Sequence, residues 1–375
     1  MHCKNYLASR ELELDNPIST FTSIRDFYIS YLETAFRIDH PEIQSIRRAL
    51  LEQAGTLSTD AYLEPMQRYL DSGVSISDLR EEALATKWLP GFTAKQRDAF
   101  IGLCLAGLLP RSKNDPSEGR FNLYTHQLQM LMRGVQPGHP GIVTSGTGSG
   151  KTESFLLPVL AQIAKEATGW PASPMMASWQ PWWRGGKAAE PSYMRDAEAK
   201  QRPKAVRAII LYPMNALVED QLVRMRRALD SDDAHSAMDS DFGGNRIFFG
   251  RYTSATPVTG WPKHPRLRDA NERKRAARKA GELQEALSKL DETYEAATKQ
   301  RDDDLRFNFP RMPGAEMVSR WDMQRHPPDI LITNTSMLST MLVREVEEPI
   351  FETTRRWIES DPDAYFYLVM DELHL

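Results

Sequence analysis

The spacing of apolar positions along this chain changes character near residue 119. Before it, apolar residues recur at helical spacing in Phe21-Thr-Ser-Ile-Arg-Asp-Phe-Tyr-Ile-Ser-Tyr-Leu32 and again from Thr93 to Leu108, punctuated by Pro41, Pro65 and Pro90. This pattern predicts a mostly helical region over residues 1–118, closed by the polar, turn-rich stretch PRSKNDPSEG at 110–119. From Phe121 onward, short apolar runs alternate with helical stretches, the pattern of an α/β domain with a parallel sheet over 119–375. The expected strands are Ile142–Thr144, Val206–Leu211, Ile247–Phe249, Ile330–Thr333 and Tyr365–Met370. In an open sheet of this kind ligands gather at the carboxyl ends of the strands.

Two stretches interrupt the alternation. About 169–204 carries Trp170, Trp179, Trp182 and Trp183 with little periodicity, and its role is not legible from the residues. About 261–322 contains a seam of Ala276, Ala280, Leu283, Leu287, Leu290, Tyr294 and Ala297 at alternating spacings of four and three. So short a seam favours a helix packed on its own domain over one that recruits a partner.

At 375 residues and 41% hydrophobic, the chain has room for two domains with a real core. No apolar run approaches the roughly 18 residues of a membrane span, and the N-terminus has no signal-peptide core, so no membrane association and a cytoplasmic location are expected. Two cysteines, Cys3 and Cys104, are too few for a zinc site of their own. The net charge of −4 does not announce a nucleic-acid binder, so any such contact is local. The densest basic run is Lys263, Arg266, Arg268, Arg273, Lys274, Arg275, Arg278 and Lys279, which reads equally as a solvated helix face or a phosphate-contacting patch.

The candidate chemistry sits at the expected strand ends. In GIVTSGTGSGKTESF, residues 141–155, a glycine-rich loop lies between a β-branched run and a helix-compatible stretch. Gly146, Thr147, Gly148, Ser149 and Gly150 let consecutive backbone N–H groups face phosphate oxygens. Lys151 reaches the β- and γ-phosphates, and Thr152 offers its hydroxyl to Mg2+. Ser145 stands where the strict G-x-x-x-x-G-K-[ST] pattern has glycine, a small residue that leaves the turn feasible. At the other end of the chain the apolar run Tyr365–Met370 delivers Asp371-Glu372-Leu373-His374. Asp371 suits Mg2+ by way of its water shell, and Glu372 suits the base that orients the attacking water. Taken alone, either motif also reads as an ordinary turn. Their joint presence is what points to nucleotide hydrolysis.

Upstream of the loop, Tyr124 and Gln127 offer an aromatic ring and a carboxamide able to pair with the adenine edge, which selects ATP; an ordinary amphipathic helix start reads the same. Three more strand ends are rich in small polar residues: Tyr212–Leu217, Gly250–Ser254 and Thr333–Met337. Such residues hold a nucleic-acid backbone without reading sequence, and Asn215, Tyr252, Thr253 and Asn334 are the expected contacts.

Together these motifs resemble the first RecA-like domain of superfamily 2 helicases of the DEAD/DEAH-box type. Tyr124 and Gln127 resemble that family's Q-motif, 145–152 its motif I, Pro213–Leu217 its motif Ia, and Asp371–His374 its motif II in the DExH form. Arg251–Ser254 and Thr333–Met337 look like its contacts to a single strand. LYPMNALVEDQL, GRYTSATP and ILITNTSML look similar to large bacterial helicases of DNA-repair and anti-phage systems, including the DISARM type. The resemblance implies a RecA-like P-loop domain preceded by a helical accessory region, using ATP and Mg2+ to act on nucleic acid, DNA rather than RNA. It also implies a second RecA-like domain, in cis or in trans, whose arginines complete the site; the chain is therefore expected to be part of a longer or split protein, inactive alone. A non-hydrolysing ATP- or nucleic-acid-binding module is the alternative. A P-loop kinase is disfavoured, because DELH and the strand-end motifs would then be coincidences.

Overall fold

The computed structural model describes residues 17–59, 68–146, 148–186, 190–263, 270–300 and 304–372. The chain divides into two compact units, Met1–Arg68 and Tyr69–Leu375. In the first, α1 (Pro17–Ala35) and α2 (Pro41–Glu52) are joined by Arg48, which pairs with Glu33 at 3.2 Å and Glu52 at 2.9 Å. Of the apolar stripe that predicted α1, Ile29 is buried, whereas Phe21, Ile24, Phe27, Tyr28 and Tyr31 are exposed.

The second unit begins earlier than the composition indicated. Strand β1 (Asp71–Ser75) pairs antiparallel with β2 (Asn122–Tyr124), bringing Asp71 opposite Tyr124. Between them lie α3 (Glu82–Trp88) and α4 (Ala94–Leu103), the latter opened by a capping box in which Thr93 and Gln96 satisfy each other's backbone N–H. A π-helical turn, Cys104–Leu108, continues from α4. The division at Arg68/Tyr69, rather than near 118, has a packing cause. Phe100, Ile101, Leu103 and Leu105 share one core with Leu156, Leu157 and Leu160 of the helix after the glycine loop, so 69–118 is not separable from the α/β part. Burial in that core raises the pKa of the Cys104 thiol well above its ordinary range.

After α5 (Thr125–Gly134) and α6 (Lys151–Ala167) come β3 (Ala208–Tyr212), α7 (Asn215–Asp230), α8 (Asp232–Asp241) and β4 (Phe249–Tyr252). Then follow α9 (Ala270–Thr298), α10 (Arg320–Arg325), β5 (Ile330–Asn334), α11 (Thr335–Val343), α12 (Glu348–Ser360) and β6 (Tyr367–Met370). The strands form a parallel sheet in the order β4-β5-β3-β6, with Ala208 in register with both Ile330 and Tyr367. The inner strands β3 and β5 are covered on both faces, which is why they read as unbroken apolar runs. At the edge, β6 alternates, with Leu368 and Met370 half exposed.

One expected strand is absent. Ile142–Thr144 forms no ladder, and Ile142 is 86% exposed. Within the described residues β6 pairs with β3 alone, so the β-branched run has propensity without a partner strand. The two irregular stretches, in contrast, cover each other. Trp182 and Trp183 pack on Leu283 and Leu287 of α9, together with Met312 and Trp321, so the seam is internal to the domain. Asp291 of α9 accepts from Trp183 Nε1 at 2.9 Å and from Arg184 Nε at 2.6 Å. Along the basic run, Arg275 pairs with Glu272 and Arg278 with Glu282 on an exposed face, while 264–269 lie outside the described residues.

At the amino ends of the strands a largely buried charge network ties the first insertion to the sheet. Asp329, just before β5, meets Arg207 at 2.8 Å, Arg202 at 2.7 Å and Arg195 at 3.3 Å, and accepts from Phe248 N–H at 2.7 Å. Glu198 pairs with Arg195 and Arg202, and Glu166 forks onto Arg207. Arg202 also stacks 3.6 Å from the Trp170 ring centroid. Burial alone would raise the Asp329 carboxyl, but the three guanidiniums and the Phe248 N–H overcome it and hold it below the ordinary aspartate range.

Candidate functional site

At the opposite ends of the strands, α6 begins directly after Gly150, whose φ of 72° is left-handed, as is that of Gly148 at 77°. Gly150 is required twice over: for that φ, and because an added Cβ would collide with the Gln127 carboxamide. The turn places Lys151 and Thr152 in the first turn of α6, where free backbone N–H groups and the positive end of the helix dipole face outward. Ser145, the departure from the strict pattern, hydrogen-bonds Ser149 hydroxyl to hydroxyl at 2.6 Å, a staple that glycine could not make. Thr147 lies outside the described residues.

The loop is braced from α5. Gln127 accepts from Tyr124 N–H at 2.9 Å and donates to the Gly150 carbonyl at 3.2 Å; the His126 ring lies 3.0 Å from the Ser149 carbonyl. Gln127 is buried, so here its carboxamide ties the helix start to the loop instead of facing outward as an adenine reader. Beside it stands an aromatic group of which the sequence disclosed Tyr124 alone. Tyr124 stacks on His126 at 5.6 Å between ring centroids, and Tyr69 sits 5.6 Å from Tyr124 and 5.9 Å from His126. The Tyr69 hydroxyl is 2.8 Å from where a Cβ on Gly146 would stand, placing the phenol at the loop itself. Tyr69 has no motif of its own, and only the β1–β2 pairing brings it there.

Across the loop, β6 delivers the acids. Lys151 Nζ lies 3.2 Å from Glu372 Oε1, although 221 residues separate them in sequence. Glu372 is held at a left-handed φ of 50°, a strain on the order of 1–3 kcal/mol for a residue with a side chain. Asp371 is anchored by its N–H to the Leu211 carbonyl at 2.9 Å, and its carboxylate accepts from Glu372 N–H at 3.1 Å. Burial pushes the Asp371 carboxyl above its ordinary range, against the Glu372 N–H that hydrogen-bonds it; the Glu372 charge adds to the rise and Lys151 opposes it. Leu373 and His374 lie outside the described residues. A cavity of about 390 Å3 opens between the loop and β6, lined by Val143, Lys151, Phe155, Met370 and Asp371 among others. Among the described residues no group of three or more His, Cys, Asp or Glu converges as a metal cage. Mg2+ needs none, since it is commonly held by one or two carboxylates, phosphate oxygens and water.

Of the expected strand track, two residues lie at the surface and two are buried. Asn215 opens α7 on the surface, and Asn334 caps α11 through Met337 N–H at 2.7 Å while donating to Asn215 at 2.8 Å. Tyr252 and Thr253, however, have side chains turned into the core, each 0% exposed. The Tyr252 hydroxyl donates to Glu347 at 2.7 Å and accepts from Gln324 at 3.1 Å. The Thr253 carbonyl accepts from Arg320 at 2.6 Å. The apolar ring at a strand end went to the core because α10 and α12 cover that face. From the same motif, Arg251 pairs with Glu219 of α7.

A glycine loop at a helix N-terminus, with a lysine paired to an acidic strand end, thus sits on a RecA-like α/β domain. Residues 124–247 match the DEAD/DEAH box helicase family model. Among curated proteins it is similar to Druantia protein DruE of Escherichia coli (strain UMEA 4076-1), at 28% identity over 392 residues. That match covers 95% of this chain but 18% of the relative, so the chain spans under a fifth of its length. No solved structure matches the chain. None of the described helices is long and apolar enough to cross a membrane.

Proposed function

We propose that this chain supplies the ATP-binding lobe of an ATP-dependent helicase or translocase that acts on nucleic acid, DNA rather than RNA. The observation that carries the reading is the 3.2 Å pairing of Lys151 with Glu372, which joins the phosphate loop to the acidic strand end in one site. In this reading the backbone of Gly146–Gly150 cradles the phosphates, and Lys151 leaves Glu372 for the β- and γ-phosphates. Glu372 is thereby released to orient water. Thr152 and Asp371 hold Mg2+, which supplies charge neutralisation at the transferring phosphoryl group. Tyr69, with Tyr124 and His126, forms the face against which the base stacks. Asn215 and Asn334 hold one strand at the sheet's carboxyl edge, and the backbone of 252–253, not its side chains, contributes there. A second RecA-like domain, in cis or in trans, adds the arginines, worth roughly 10³ to 10⁵ in rate.

The test is the ATPase rate of the full-length gene product with and without single-stranded DNA. Stimulation by DNA that disappears in Lys151→Ala and Glu372→Gln supports the motor. Tight ATP binding without turnover under any condition would show a binding module instead, and stimulation by single-stranded RNA alone would overturn the choice of DNA. Tyr69→Ala is expected to weaken ATP binding about 5- to 100-fold, the value of one lost stacking contact, as read by calorimetry. Tyr69→Phe is expected to restore it.

A further inference from the structure

A second cavity of the domain lies away from the phosphate loop. It measures about 440 Å3 and lies where the two insertions meet α8, beside the segment that leads into the amino end of β4. That volume falls in the range of small-molecule sites, roughly 300–1,000 Å3. Its lining combines two chemistries. Met176, Met194, Met312 and Pro313 supply apolar, polarizable walls of the kind that pack on flat aromatic rings. Against them stand Arg246, Lys299 and Arg311, with Glu295 the single acid of the lining among the described residues, itself 3.7 Å from Arg184.

The basic groups hold donors in reserve. Arg246 makes its side-chain contacts, to Asp239 and to the Gly244 and Asn245 carbonyls, through Nη1. Arg311 likewise uses Nη1 for Asp232 and the Asp230 carbonyl. Among the described residues no hydrogen bond uses Nε or Nη2 of either residue, which leaves these donors for a ligand. The remaining titratable group of the lining besides Tyr294, His235, is spent on Asp230 at 2.7 Å. Guanidinium forks with spare N–H groups match phosphate or carboxylate oxygens, and the Tyr294 ring and the thioethers suit an aromatic body.

We infer that this cavity binds an aromatic organic anion of about nucleoside-monophosphate size, its acid group on Arg246, Arg311 and Lys299 and its ring among the methionines. The site is separate from the nucleotide site, since it stands at the amino ends of the strands and the phosphate loop at their carboxyl ends. The probe is 8-anilinonaphthalene-1-sulfonate, followed by fluorescence titration of the folded protein. One saturable site is expected. Lys299→Glu reverses a charge at an exposed position, and Thr298→Trp plugs the mouth from the exposed end of α9. Each should weaken binding about tenfold or more while cooperative urea unfolding is unchanged. Excess MgATP should not displace the probe, and Lys151→Ala should bind it normally. Non-saturable binding, equal affinity in both variants, or displacement by MgATP overturns the assignment, and none of these bears on the phosphate loop.

Discussion

The two ends of one parallel sheet are built on opposite principles. At the amino ends, Asp329 and Glu198 are locked among Arg195, Arg202 and Arg207 with essentially no exposure, and Glu166 forks onto Arg207 from its half-exposed edge. At the carboxyl ends, Lys151 and Glu372 form one ion pair with about 30% of each side chain exposed. A buried network of charges is costly to break, because each partner left behind is an unpaired charge in a medium that does not solvate it. A half-exposed pair is worth little and exchanges readily for a ligand's phosphate. The interactions most costly to break thus lie at the end of the sheet away from the candidate site.

The largest way to break this contrast is Asp329→Ala. It leaves three guanidiniums competing for two glutamates and is expected to cost about 3–5 kcal/mol in urea unfolding, if the protein folds. Gly150→Ala comes next. Its side chain meets both the left-handed φ and the Gln127 carboxamide, so a loss of about 1–2 kcal/mol is expected, with ATP binding abolished in calorimetry. Smaller, and set by pH, is Asp322 on α10. Burial, with a smaller push from Asp196, raises this carboxyl to about 6, against the pull of its Ser319 bonds. A raised carboxyl pKa favours the folded state at low pH, and that advantage is lost as pH rises through about 6. Asp322→Asn should therefore raise the melting temperature at pH 7.5 and lose its advantage below pH 6. Asp329 has the opposite sign: its contribution is present at neutral pH and is lost only as pH falls through its lowered pKa.

The sequence and the structure agree best where a signal is local. The inner strands β3 and β5 are continuous apolar runs, and the glycine loop carries its own turn chemistry, so both were legible to within a residue or two. The helical spacing of 276–297 was legible as well, and α9 follows it. What escaped depends on partners distant in the chain. Ile142–Thr144 has the composition of a strand, yet a strand forms only with a neighbour to pair with. Arg195, Arg202 and Arg207 look like ordinary surface charges until Asp329, more than a hundred residues on, is placed among them. Tyr252 and Thr253 read as loop chemistry at a strand end, but Glu347 and Gln324 from later elements cover them. Tyr69 reached the phosphate loop through a two-strand pairing too short to announce itself.

The most direct test of the central claim is calorimetric titration of this protein and its Lys151→Ala variant with MgATP, alongside urea unfolding of both. The account predicts that the native protein binds MgATP, and that the variant loses binding while its stability changes by less than about 1 kcal/mol. Undiminished MgATP binding by Lys151→Ala would contradict it.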